Sequence, residues 1–514
     1  MHRFLGGVSL GYVSLAVVTL AGLWLTPFLL ARVGTHDYGL WLITIQVLGY
    51  LTLLDFGVVA LAPRETAYAT GRTIAGGEAQ LANLLGRFRS VIRWQVIPVV
   101  ITCAVAWWLI AARWEELRWP LAAILALYSI TFPFRLYQAA LQGLQDLPFL
   151  AKLQMAGWAA GTIVTVALVL SRAGLLSLAA GWGVNQVILV TCCWIRLRRR
   201  FAFAFPRSDG STTWSNVRDL FRSSSWVSLS QVSQLLLGGS DILMLGAILG
   251  PEAAVRYSCT AKLVFVLANH PQLLMQAAAP AMAEMRVSTS RDQLRTVTFA
   301  LIRGTLILSG AVACLVIAVN EPFVRWWVGS EQFGGVRLTL LLVTAMLARH
   351  LTATWSYALF SFGYERRLSL TSLADGVVVL GVTGTLASLT NLGLASAPLG
   401  VLAGVMFVSL PVTGVALTRE TAGRDGGLAV LIRGWALRLG AVASICLSVN
   451  YLVDVTTPAR VVVFAVAVAL LYAAVMWPLL KQPPLDTFML RAIATINGWR
   501  SVPRPIPASV EPPS

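Results

Sequence analysis

Residues 25–67 read LTPFLLARVGTHDYGLWLITIQVLGYLTLLDFGVVALAPRETA: two long apolar runs joined by a short polar turn at 34–38, with a carboxylate, Asp55, inside the second run. A chain that repeats such runs has few structures open to it. Each run approaches the roughly 20 apolar residues needed to cross a hydrocarbon core of about 30 Å. In lipid the backbone polar groups find no water, so a run of this length folds as a helix. A membrane β-barrel would alternate in polarity instead, and these runs do not. With 57% hydrophobic and only 12% charged residues across 514 positions, and a mean hydropathy of +0.75, the pattern extends through the chain. The expected fold class is an all-α polytopic membrane protein.

Apolar runs alternate with polar breaks to give about fourteen transmembrane helices. The first six lie near 7–31, 39–62, 91–112, 120–143, 153–171 and 175–195. The next six lie near 224–249, 254–282, 298–322, 337–361, 369–389 and 393–417, and the last two near 433–453 and 459–480. The first run is too long for a signal-peptide core and ends at Arg32 rather than at a small-residue cleavage site, so it is expected to stay as a span. The six cysteines, Cys103, Cys192, Cys193, Cys259, Cys314 and Cys446, all fall in or at the ends of apolar runs and read as packing residues.

The net charge of +17 does not imply nucleic acid, because the basic residues are dispersed among short loops without a basic domain or an aromatic-interleaved surface. Their placement orients the chain. Loops holding Arg64, Arg72, Arg87 and Arg89, then 196–222, then Arg286, Arg291 and Arg295, then Arg366 and Arg367, then Arg419, Arg424 and Arg433 alternate with nearly uncharged ones. With the termini and Lys152, that side holds about 25 Lys and Arg against about 8 on the other, which places both termini in the cytoplasm. The outer loops are short. The longest polar pieces, 64–88, 197–222 and the tail from Lys481, face inward, with 485–499 expected as an amphipathic surface helix and a disordered Pro-rich end.

A weak internal repeat relates 137–143 (YQAALQG) to 357–363 (YALFSFG), and Val33-Gly34 to Leu249-Gly250. It suggests two six-helix halves with two helices appended. The expected organisation is an N-terminal bundle at 1–215, a second at 216–430, two additional helices within 431–480, and a cytoplasmic tail at 481–514.

Three stretches carry a family resemblance. They are the first hairpin at 25–67, with its Tyr-Gly-Leu-Trp, Leu-Leu-Asp-Phe-Gly and Ala-Pro-Arg-Glu, the segment YQAALQGLQD at 137–146, and the run from Gly238 through Ser240-Asp241 to Tyr257 and Lys262. Together they resemble the Wzx-like flippases of polysaccharide and O-antigen repeat units, within the MOP/MATE-like superfamily. The resemblance implies two six-helix bundles facing a central cavity. It also implies translocation of polyprenyl-pyrophosphate-linked oligosaccharide across the bacterial inner membrane, feeding lipopolysaccharide or exopolysaccharide assembly beside a polymerase and a chain-length regulator.

Ionisable groups inside spans cost at least a few kcal/mol each and mark candidate sites. Arg349, Lys262, Arg303 and Arg135 are the candidate substrate-binding cations, suited to pyrophosphate because guanidinium grips phosphate oxygens in pairs. Asp55, Asp241, His350 and Asp375 are candidates for ion coupling or gating. Each has a structural reading beside the functional one. Asp241 and Lys262 lie at similar distances either side of Gly250-Pro251 and are placed to form a salt bridge in one hairpin. Asp55 is placed to cap a bent helix, Arg349 to pair with a carboxylate such as Asp375, and the glycines 238 and 239 to let the seventh helix bend.

No P-loop, nucleotide fingerprint or metal-spaced His/Cys cluster occurs in the sequence, so no cofactor, no metal and no enzymatic activity are expected. A peptidoglycan-precursor flippase or an ion-coupled drug exporter of the same fold is the alternative, although a drug exporter would line its cavity with acids and these candidates tilt toward bases. A glycan polymerase would need a sizeable outer loop. A non-transporting component of a glycan-assembly complex is the third reading.

Overall fold

The computed structural model describes residues 2–73, 78–206, 214–420, 427–452 and 457–481. Helices account for nearly all of the described residues, and no strand occurs among them. The tail helix expected at 485–499 lies outside the described residues.

The helices follow the spans in order. α1 (His2–Val33) is the first, and α2 (Thr35–Leu51) with a 3₁₀ turn at Thr52–Asp55 is the second, continued by α3 (Val58–Thr73). α4 (Glu78–Ala111) is the third, and α5 (Arg118–Thr131) with α6 (Arg135–Gly143) the fourth. The fifth and sixth are α7 (Leu147–Leu170) and α8 (Leu175–Arg200), and the seventh is α9 (Trp214–Gly238) with α10 (Ser240–Leu249). The eighth is divided into α11 (Pro251–Thr260), α12 (Lys262–Leu267) and α13 (Leu273–Ser288). Then come α14 (Arg291–Val328), α15 (Val336–Ser361) and α16 (Glu365–Leu389), followed by the twelfth span, α17 (Ser396–Gly404) and α18 (Leu410–Glu420) joined through a π-helical turn at Val405–Ser409. α19 (Gly427–Leu452) and α20 (Pro458–Leu480) complete the chain order.

Among the described residues eleven helices are long and apolar enough to cross a membrane, or twelve when the bent pair α9 and α10 is taken as one span. The count of fourteen is not reached among the described residues: the eighth span is interrupted near Ala261 and again before Leu273, where Pro271 removes a backbone donor. The seventh helix bends by 51° at Gly239, as the paired glycines predict. Pro133 sits in a 3₁₀ turn, Phe132–Phe134, that divides the fourth span.

The turns closing the first and seventh spans are built alike. Gly34 has φ 96° and ψ 161°, and Gly250 has φ 100° and ψ 162°, a region essentially restricted to glycine. Close packing is repeated too. Along α7, Gly157, Gly161 and Thr165 meet Asn185 and Gly181 of α8, and along α16, Asp375, Val379 and Thr383 meet Gly404 and Gly400 of α17. In both pairs a threonine hydroxyl occupies the place where a β-carbon on the facing glycine would sit, and the spacing is four residues on the first helix of each pair.

The helices pack as two compact units. The first comprises Met1–Val266, Asn320–Ala345 and Glu365–Val412, and the second Leu267–Val319, Met346–Tyr364 and Thr413–Ser514. The main apolar core of the first unit is built from α1 to α8 and includes Leu29, Leu40, Leu85, Phe88, Leu121 and Phe132. In the second unit α19 and α20 dock on α14: Asn450 Nδ2 donates to Ile317 O at 3.0 Å and Tyr472 OH to Ile307 O at 2.8 Å. Gly310 leaves room for that tyrosine.

Candidate functional site

Asp55 sits where the second span ends. Phe56 and Gly57 adopt positive φ there, 47° and 72°, and the backbone leaves the helix. Asp55 is 1% exposed, and its Oδ1 accepts the Gly57 N–H at 2.8 Å, so it caps the break. The carbonyls freed at the helix end are also met, Leu51 O by Tyr128 OH at 2.8 Å and Asp55 O by Gln95 Nε2 at 3.0 Å. Arg135, at the first turn of α6, brings Nη2 to 3.7 Å from Asp55 Oδ2 and donates from Nη1 to Tyr128 OH at 3.3 Å. Two residues given different roles from the sequence are thus brought together.

Asp241 lies in the first turn of α10, directly after the bend, where the exposed amide ends of a helix favour a negative charge. Its Oδ2 accepts the hydroxyl of Tyr257 from α11 at 2.8 Å. Lys262 opens α12 after the break at Ala261 and is half-buried near Cys259. Tyr257, fully buried, is the hairpin contact that the charge-pair reading missed.

Asp375, in the middle of α16, is fully buried and accepts a short hydrogen bond from Ser409 Oγ. Ser409 closes the π-helical turn, and π turns commonly mark functional positions. Gly404, at the end of α17, allows the approach, since a β-carbon there would overlap Asp375 Oδ1.

The second unit holds the remaining three candidates. His350 is 2% exposed, with Nδ1 at 2.9 Å from Ser309 Oγ. Arg349, beside it on α15, is partly buried, and its carbonyl accepts Thr352 Oγ1 at 3.1 Å. Arg303, on α14, has both Nε and Nη1 buried, and neither meets a hydrogen-bonding partner among the described residues. A guanidinium withdrawn from water with two N–H groups unmatched is costly, and an anion in reach would satisfy it.

Several residues escaped a reading that looked for charges inside spans. Asn320, fully buried in α14, donates from Nδ2 to Thr260 O and to Thr339 Oγ1, both at 3.0 Å. Gln332 Nε2 donates to Thr35 Oγ1 at 3.1 Å. His36 Nδ1 and Glu252 Oε1 lie 2.6 Å apart. The first could have been noticed as an amide within an apolar run; the others lie at helix ends, where polar residues carry no signal.

Residues 87–333 match the model of a family described as polysaccharide biosynthesis protein. Nothing among curated proteins matches the chain. Among solved structures, the lipid II flippase MurJ in an inward closed conformation is similar over 92% of this chain and 100% of that one, with a TM-score of 0.63 and 11% identity. An inward-facing multidrug resistance MATE family transporter of the MOP superfamily is similar over 81% and 98%, with a TM-score of 0.58 and 14% identity. An outward-facing one is similar over 82% and 94%, with a TM-score of 0.51 and 16% identity. At such identities the likeness is one of fold. Residues 87–333 are thus similar to the polysaccharide biosynthesis family, and the chain has the fold shared by the MurJ flippase and the MATE transporters.

Proposed function

We propose that this protein is a flippase that moves polyprenyl-pyrophosphate-linked oligosaccharide units across the bacterial inner membrane by alternating access. The halves at 1–215 and 216–430 would rock against each other, both termini would be cytoplasmic, and a polymerase and chain-length regulator would take the product. The observation that carries this reading is Arg303, a half-buried cation whose unmatched N–H groups suit a pyrophosphate oxygen, in a chain with a flippase fold and a polysaccharide biosynthesis match. Arg349 and Lys262 add positive charge within other spans. Asp375, Asp241, His350 and Asp55 are the groups through which a cation gradient would act. Asp375 is the best placed of these, since its partner Ser409 lies in a π turn that can shift by a residue's hydrogen bond.

Purified protein in liposomes with a fluorescent polyprenyl-pyrophosphate oligosaccharide provides the test, scored by the lipid exposed to an added glycan-cleaving enzyme. Arg303→Gln is expected to slow exposure by about tenfold or more, the range set by loss of one charged hydrogen bond, while inserting as the parent does. Lipid II belongs in the same assay, because a lipid II flippase is among the similar structures. Exposure of lipid II alone would move the assignment to a peptidoglycan precursor. No exposure of any lipid-linked glycan, with proton or sodium gradients imposed, would remove the flippase reading.

A further inference from the structure

Within the first unit, one end of the bundle is closed by the two turns that are built alike. His36 is the second residue after Gly34 and Glu252 the second after Gly250, so the residues that meet occupy equivalent positions in two hairpins, α1–α2 and α10–α11. Equivalent positions of a repeated unit touch only where the pseudo-twofold axis passes. The backbones are close enough for this because Gly39 lies against Pro251 O and Gly246 against Ile43, with no room for a β-carbon at either glycine. Behind the pair, Val255, Cys259, Val324 and Trp327 form a buried apolar plug, and Trp327 Nε1 donates to Leu23 O. His36 and Glu252 themselves are about half exposed, at 44% and 47%. Asp37 flanks the histidine and Arg256 the glutamate.

We propose that the His36–Glu252 contact is the latch of the gate closing the extracytoplasmic end of the translocation path, and that the plug behind it is what the gate seals. The proposal rests on the alternating-access reading above. In a transporter whose halves rock, a contact on the axis at one end has to break each time that end opens, while contacts inside either half do not. A half-exposed pair suits this role, since solvent screening keeps its strength low enough to be made and broken in each cycle.

Cys259 provides a native reporter. It is 2% exposed, unpaired, and on α11 about 10 Å beyond Glu252 along the helix. With Cys103, Cys192, Cys193, Cys314 and Cys446 replaced by alanine, a membrane-impermeant maleimide added outside spheroplasts should label Cys259 slowly. His36→Glu, which sets two carboxylates against each other, is expected to raise the labelling rate about two- to fivefold, the range for an exposed pair. Glu252→Gln, which keeps the shape and removes the charge, should raise it in the same direction. The exchanged pair, His36→Glu with Glu252→His, should return it to the parent rate. Equal labelling in parent and both single variants, or an exchanged pair that labels as fast as His36→Glu, would overturn the latch. Labelling only from the cytoplasmic side would overturn its placement. No lipid-linked substrate enters this measurement, so a chain that labels as expected yet fails to flip would contradict the flippase reading and leave the latch standing.

Discussion

Asp55 is held from two sides, by the Gly57 N–H it caps and by the guanidinium of Arg135, itself 28% exposed on its side chain. Removing one partner of such a pair leaves the other charge unmatched. Asp55→Ala is expected to lower stability by about 2–4 kcal/mol, toward the lower part of the range for broken buried pairs because 3.7 Å is a long contact. Thermal unfolding in detergent of Asp55→Asn, Arg135→Gln and their combination should give a coupling of about 1–2 kcal/mol, where independent roles would give none. A cap was one of the readings open to Asp55 from the sequence, which placed it inside the span at 39–62, whereas the helix ends at Asp55 itself. The partner was not legible. Depth along a span follows from counting residues, but the direction a side chain faces around its helix depends on neighbours far away in sequence. The same limit explains Asp241, which meets Tyr257 from the next helix.

At the scale of elements, the breaks with a chemical cause were readable and those without were not. The bend at Gly239 and the divisions near Pro133 and Pro271 follow from residues that weaken or interrupt a helix. The π turn at Val405–Ser409 has no such signature. It is fixed by what α17 packs against, namely Asp375 through Gly404 and Thr383 through Gly400. Gly404→Ala would drive a β-carbon into Asp375 Oδ1, and is expected to cost about 1–3 kcal/mol, as overpacking does. Gly381→Ala, on α16 itself with nothing within 4 Å of the new carbon, should be neutral or raise stability by up to about 1 kcal/mol through helix propensity. Melting temperatures of the two variants, measured side by side, separate a packing requirement at Gly404 from a general intolerance of change in these helices.

For the whole molecule, hydropathy gives the order of spans because it is written along the chain, whereas the grouping of helices into compact units is a property of packing between distant segments. α14 and α15 each contribute to both units, a division that no linear pattern announces. Orientation lies between these cases: it is encoded in the sequence, but only as a bias of Lys and Arg among loops. The proposed latch depends on it, since Gly34, Gly250 and Gly329 all close spans on the side assigned to the outside. Alkaline phosphatase is active only outside the cytoplasm. Fused after Arg113, after Arg172 or after Thr390 it should therefore be active, and fused after Ala204 or after Tyr364 it should be inactive. The opposite pattern would turn the bundle over, place the His36–Glu252 contact at the cytoplasmic mouth, and require the substrate to enter from the end where that contact sits. Inverted results at Tyr364 and Thr390 alone, with the three earlier fusions as expected, would instead show that the interrupted eighth span, α11 to α13, does not cross fully, and that the charge asymmetry fixes the first seven spans but not those that follow.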